Sequence, residues 1–287
     1  MNIFAGLEAL GLGKLSKMDV YEEKEQQQKK AEKPKVAEHV MTETDFIFDK
    51  EIKCPVCDQS FKTKTVKTGR IKLVSADTDL KPTYQLIDPL KYDVIACPHC
   101  GYAALSRYFT FMTNGQAKLI RDNISSSFKG LAPEGDILSY DDALTRYKLA
   151  LANAVVKRAK MSEKAYTCLK TAWLLRGKSD TLPGDTPDYD KVIEELKAEE
   201  TEFLEKAYEG FLEAFHKELF PMCGMDENTV SYVVADLARR TGKPEEALKL
   251  LSRIITSRTA NERIKSKARE LKDLVLEEEK NGKQNNA

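Results

Sequence analysis

Three histidines and a single tryptophan in 287 residues leave little for imidazole-based acid–base chemistry. No Ser-His-Asp order, Walker loop, dinucleotide fingerprint or HExxH motif stands anywhere in the chain. Charge of one sign is not in excess either. The 46 basic and 46 acidic residues cancel, so no overall positive field argues for a general nucleic-acid binder. No run reaches the ~18 apolar residues of a membrane span. Met1-Asn2-Ile3-Phe4 lacks a basic lead-in and Glu8 interrupts its apolar run, so no secretory signal is expected. The expected setting is the cytoplasm, where paired cysteines serve metal or redox chemistry rather than disulfides. What remains is a chain long enough to bury a substantial core as one large or two smaller domains. Its 32% charged content exceeds the roughly 25% of an average domain and suits solvent-laced helices.

Five stretches differ in texture. Residues 1–44 are expected to be a flexible tail and charged linker. Phe4, Leu7, Leu10 and Leu15 could line one short amphipathic face, but Gly6, Gly11 and Gly13 weaken any helix there. Residues 22–35 are almost free of apolar groups and cannot offset the entropy of ordering. Residues 45–110 carry β-like stretches at 61–68, 71–75 and 92–96, punctuated by Gly69-Arg70, Lys81-Pro82 and Asp88-Pro89. Residues 111–138 connect this module to a helical part at 139–280, and 281–287 are expected to be a disordered tail.

Cys54-Pro55-Val56-Cys57 and Cys97-Pro98-His99-Cys100 are the strongest signal. Each CxxC can form a knuckle that presents two thiolates while backbone N–H groups point at the sulfurs. Two knuckles supply Cys54, Cys57, Cys97 and Cys100 as the four soft ligands of a tetrahedral site. Gly101 and Asp58, each directly after a knuckle, suit a left-handed backbone position. The 39 intervening residues exceed the spacer of a compact ribbon and would fold out as a long hairpin. Zinc is the default ion and iron the second, since Cys-Pro-x-Cys-Gly also occurs in rubredoxin-like sites. Four thiolates close the coordination shell, which points to a structural ion. Redox exchange by the same cysteines and a nucleic-acid-binding ribbon using Lys64, Lys67, Arg70 and Lys72 are the competing readings. Phe61, Tyr84, Tyr92 and Tyr102 are expected to pack the ribbon, His99 to sit on its surface, and Cys168 and Cys223 to be packing residues.

Beyond Ser139 the period is helical. Leu144, Tyr147, Leu151, Ala154 and Val155 mark one face. Ser162 is expected to cap the next helix, which carries Ala165, Leu169, Ala172 and Trp173 and ends at Gly177. A long helix follows with Ile193, Leu196, Phe203, Ala207, Phe211, Phe215 and Leu219 along one side, stopped by Pro221. Three more helices are expected near 227–241, 244–257 and 260–280, the last opened by Thr259 in a capping box with Glu262. Net charge runs +7 over 142–178, −11 over 180–227 and +5 over 239–283, as suits neighbouring helices of complementary sign. Residues 228–257 match one tetratricopeptide-like repeat through Val234, Ala235, Gly242, Ala247, Leu248, Leu251 and Ile254. Stacked helical pairs of this type offer a groove for a protein or peptide.

In combination, these motifs resemble a family. Cys54-Pro-Val-Cys57, then Asp88-Pro-Leu-Lys-Tyr-Asp-Val94 leading into Cys97-Pro-His-Cys100-Gly-Tyr-Ala103, and Ala238-Arg-Arg-Thr-Gly242 are similar to a bacterial family known as domain of unknown function 2225, found largely in Firmicutes. The resemblance spans roughly residues 45–280. It implies a cytoplasmic bacterial protein with a zinc-ribbon-like module and a tetratricopeptide-like C-terminal half, and it brings no activity with it. The fold class is therefore expected to be α+β, a small ribbon-like β module followed by an all-α array. The function expected is that of a non-enzymatic adaptor, holding zinc and binding a protein or peptide at its helical groove, with nucleic acid and membrane both disfavoured.

Overall fold

Short alternating segments flank each cysteine pair, and each pair becomes the turn of its own hairpin. The computed structural model describes residues 40–132 and 135–285; the expectations for residues 1–21 and 22–35 lie outside it. Strands β1 (Ile47–Lys53) and β2 (Ser60–Val66) pair antiparallel, from Ile47 opposite Val66 to Lys53 opposite Ser60, with Cys54–Cys57 at the tip. Strands β3 (Leu73–Ala76) and β4 (Pro82–Tyr84) form a second, irregular hairpin. Strands β5 (Val94–Ala96) and β6 (Ala103–Leu105) form the third, with Cys97–Cys100 at its tip. The residues between the cysteine pairs are thus not one long hairpin. The first knuckle needs its own outgoing strand, and that strand, β2, uses the β-branched and aromatic residues first available for the purpose.

Seven α-helices among the described residues complete an α+β fold. Helix α1 (Asn114–Ile120) lies in the connecting segment, opened by a capping box of Thr113 and Gln116, and buries Ala117 and Ile120. Helix α2 (Tyr140–Val156) is capped by Ser139 with Asp142. Its buried face is Ala143, Leu144, Arg146, Tyr147, Ala150, Asn153 and Ala154, while Val155 is exposed. Of the expected face, Leu144, Tyr147 and Ala154 are buried and Leu151 packs partly buried against the core; Val155 alone faces solvent, and Asn153 is buried instead where α2 meets the β5–β6 hairpin.

Helix α3 (Met161–Asp180) runs through Gly177 rather than ending there. A Cβ at Gly177 would sit 3.0 Å from both the Asp88 carboxylate and the Tyr140 hydroxyl, so glycine serves close packing. Ser162 does not cap it; Glu218 reaches across and accepts from the Ser162 N–H at 3.0 Å, satisfying a free donor of the first turn. Helix α4 (Tyr189–Lys217) buries Leu196, Leu204, Ala207, Tyr208, Phe211 and Ala214, and Leu219 falls beyond its end, exposed. Helices α5 (Glu227–Arg240) and α6 (Pro244–Thr256) form the expected pair, with Val234, Ala235, Ala247, Leu251 and Ile254 buried. Helix α7 (Glu262–Asn285) is capped by Asn261, whose Oδ1 accepts from Ile264 N–H at 2.9 Å, in place of Thr259. It runs to Asn285, past the expected end at residue 280, even though Asn281 and Gly282 are poor helix formers.

One apolar core joins the helices to the third hairpin: Leu90, Val94, Ala96, Ala103 and Leu105 share it with Tyr147, Leu169, Trp173, Phe211 and Leu251. A second core surrounds the cysteines with Val56, Phe61, Tyr102, Phe109, Ala117 and Ile120. A third, with Phe46, Ile47, Ile87, Tyr92 and Leu138, seals the base of the first hairpin. No helix among the described residues is long and apolar enough to cross a membrane.

Candidate metal centre

The two CxxC turns are built alike. In the first, Asp58 N–H donates to the Cys54 carbonyl at 3.0 Å and Cys54 N–H to the Gln59 carbonyl at 2.9 Å. In the second, Gly101 N–H donates to the Cys97 carbonyl at 3.1 Å and Cys97 N–H to the Tyr102 carbonyl at 2.8 Å. Closing each turn takes one left-handed residue, and the positions are those expected: Asp58 at φ +61° and Gly101 at φ +72°. This geometry turns backbone donors toward sulfur, as when Val56 N–H meets Cys54 Sγ at 3.4 Å.

The hairpin tips meet so that Cys54, Cys57, Cys97 and Cys100 place their Sγ atoms all within 4.8 Å of one another. Across the two knuckles, Cys54 and Cys100 lie 3.6 Å apart and Cys57 and Cys97 3.7 Å. A disulfide needs about 2.05 Å. A tetrahedron with metal–sulfur bonds of about 2.3 Å has edges of about 3.8 Å, which these separations match. The set is largely buried, and its charge state reflects the crowding. Hydrogen bonds from Cys100 and then Cys54 pull the Cys97 thiol down to about 2. Cys54 is held at about 12, because a lowering bond from Cys100 is outweighed by Cys97 and burial, and Cys100 is driven far up by Cys54, Cys97 and burial. Four thiolates this close cannot all ionise without a cation among them.

Three side chains support the knuckles, Tyr102 from within the ribbon and Arg121 and Asn153 from outside it, and of these only Tyr102 is expected from the sequence. Tyr102, expected to pack here, stacks at 4.9 Å on Phe109 and donates its hydroxyl to the Phe109 carbonyl at 3.0 Å. Arg121 donates from Nη1 to the Val56 carbonyl inside the first knuckle at 2.9 Å. Asn153 of α2 donates from Nδ2 to the Gly101 carbonyl at 3.0 Å. An asparagine within a stripe of alanines is the one local signal that points toward the last. His99 is exposed, outside the cluster. Cys168 is buried in the helical core, where burial pushes its thiol up to about 12. Cys223 donates to the Ser162 carbonyl at 3.2 Å, its thiol also raised by burial. Both are packing residues, as expected.

Beside the centre, a cleft of about 710 Å³ separates the first hairpin from the third, lined by Ile52, Tyr84, Asp93, Ile95, Phe109 and Lys170. A family model described as "Uncharacterized protein conserved in bacteria (DUF2225)" matches residues 47–275. The chain belongs to this family. The match takes in both knuckles and all of the helices but the end of α7. No curated protein and no solved structure matches the sequence.

Proposed function

We propose that this member of the family is a cytoplasmic, non-enzymatic adaptor. A structural zinc ion at Cys54, Cys57, Cys97 and Cys100 would fix a ribbon onto a tetratricopeptide-like array that engages a protein or peptide. The observation that carries the reading is the convergence of four largely buried sulfurs at tetrathiolate spacing. A closed shell leaves no position for substrate, which favours a structural ion over a catalytic one. Borderline-soft thiolate donors in tetrahedral array favour zinc, with iron the alternative occupant. The basic residues that a nucleic-acid reading would need are partly engaged: Lys64 pairs with Asp49 at 3.4 Å and Lys67 donates to the Asp45 carbonyl at 3.0 Å.

The test is metal content and visible absorbance of protein purified without oxygen or added metal. One colourless zinc per chain, lost in Cys54→Ser and in Cys97→Ser, is expected. Thiolate charge-transfer bands from iron would move the site to electron transfer, and a metal-free, folded chain would overturn the reading. The adaptor role is checked separately by affinity capture on the immobilised full chain; a failure to retain any partner reproducibly would count against it.

A further inference from the structure

The loop between β3 and β4 sits on the face to which α3 and α5 contribute, bound through a set of side chains that would suit a separate peptide. Asp79 is fully buried. One oxygen of its carboxylate accepts from Trp173 Nε1 at 2.9 Å and Arg176 Nη2 at 2.8 Å, and the other from the Lys81 N–H at 3.1 Å. Asp77 accepts from Arg176 Nη1 at 2.6 Å and lies 3.2 Å from Arg240 Nη2. Between them, Thr78 Oγ1 donates to Asp236 at 3.1 Å and accepts from Arg240 at 2.8 Å. The arginines also have resident partners: Arg176 Nε pairs with Glu200 of α4 at 2.7 Å, Arg239 and Arg240 with the buried Asp236 at 2.8 and 2.6 Å, and Arg239 with Glu278 of α7 at 2.8 Å, so four helices supply the surroundings.

At its base the arm that carries this loop is held by Ile71 and Tyr84, both partly buried against the third core. Among the described residues β3 and β4 pair only with each other, and all four residues of β3 are exposed, including Leu73 and Val74. Its polar grip is concentrated in the tip, where Leu80 adds one partly buried apolar contact. Arginine forks from two different helices thus read two carboxylates one residue apart, and an indole N–H selects the second. Planar guanidinium–carboxylate pairing is directional, so this spacing is a recognition code rather than a diffuse attraction.

We propose that this arginine-lined face is a binding site for acidic peptide segments of the form Asp-x-Asp, and that Asp77-Thr78-Asp79 occupies it as an internal ligand with which an external segment competes. The proposal rests on the adaptor reading and names the chemistry of its partner. Tethering gives the internal segment a high effective concentration, so an external segment gains access when the tip is weakened.

The test uses the full chain and a labelled synthetic peptide of residues 75–81, Ser-Ala-Asp-Thr-Asp-Leu-Lys. Binding is read by anisotropy and by emission of Trp173, the only tryptophan in the sequence. The Asp77→Asn/Asp79→Asn variant should bind the peptide at least ~10-fold more tightly than the wild type. A peptide with both aspartates changed to asparagine should not bind, and adding Arg176→Gln should abolish the gain. A folded double variant that binds no better than wild type would make the tip a fixed anchor and overturn the proposal. If that variant fails to fold, wild-type protein is exposed to millimolar peptide and followed by hydrogen exchange. Faster exchange at residues 73–84 supports displacement, and unchanged exchange overturns it. A captured partner indifferent both to the peptide and to Arg176→Gln would leave the adaptor reading standing while removing this one.

Discussion

Along β1 only Ile47 is fully buried and Phe48 through Glu51 face solvent, whereas all three residues of β6 and two of the three in β5 are buried. The two hairpins carry the same knuckle, closed by the same backbone hydrogen bonds, yet stand in different surroundings. The third hairpin is fastened by the main core: Val94, Ala103 and Leu105 pack with α2, and Tyr147 donates its hydroxyl to the Leu90 carbonyl at 3.0 Å. The first hairpin borders the cleft and is fastened at its base by Phe46 and Ile47, at its tip by the cysteines, Val56 and Arg121, and along β2 by the buried Phe61 and Thr63, while most of β1 stays open to solvent. One knuckle is a fixture of the fold, and the other is attached to it. An ion bridging them would close the 39-residue segment between the pairs, a closure whose entropy is worth roughly 3 kcal/mol.

The largest expected effect follows from that asymmetry. Stripping the metal, or replacing Cys97 by Ser, should raise hydrogen exchange along β1 and β2 by about 100-fold or more, a local loss of roughly 3 kcal/mol. Exchange in α3 and α5 should change far less. Equal loss in both places would show that the helical core also depends on the ion, and the contrast between the hairpins would fail.

Side-chain truncation gives a second comparison, free of metal. Leu105 is 1% exposed in β6, so Leu105→Ala should cost about 2–5 kcal/mol in urea unfolding. Phe48 in β1 is 44% exposed, and Phe48→Ala should fall within about 0.5 kcal/mol of wild type. A costly Phe48→Ala would mean that the outer face of the first hairpin is covered in solution.

Much of the centre was legible from spacing alone, because a knuckle is a local structure: two cysteines, a left-handed residue and a turn lie within six positions. The α5–α6 pair was legible for the same reason, its small residues and turn glycine falling at fixed intervals. The parts not legible depend on distant partners. Val155 is as apolar as its neighbours, and only the position of β6 decides that Asn153 is buried in its place. Ser162 looks like a cap until Glu218, 56 residues away, takes the role. Gly177 has the composition of a stop signal, yet Asp88 and Tyr140 make it an interior contact. Asp77 and Asp79 look like solvated turn residues, and nothing local announces the arginines of α3 and α5 that bind them.

The finest test compares the two left-handed residues that close the knuckles. A Cβ on Gly101 would lie 2.6 Å from Phe128 Cδ2, at a φ of +72°. Gly101→Ala therefore meets both backbone strain and a ring, and about 1–3 kcal/mol of destabilisation is expected. Asp58 holds the equivalent place at φ +61° with an exposed side chain, and its pairing with Lys53 at 3.1 Å is solvent-screened. Asp58→Gly should relieve the left-handed strain while adding freedom to the unfolded chain, leaving stability within about 0.5 kcal/mol of wild type. The pair of urea midpoints separates backbone from surroundings. If the turn alone set the cost, giving Gly101 a side chain would bring the second knuckle to the state Asp58 already tolerates in the first, and the penalty would be small. A large penalty at Gly101 beside a negligible change at Asp58 would place the difference in what packs against the turn, Phe128 on one side and open solvent on the other.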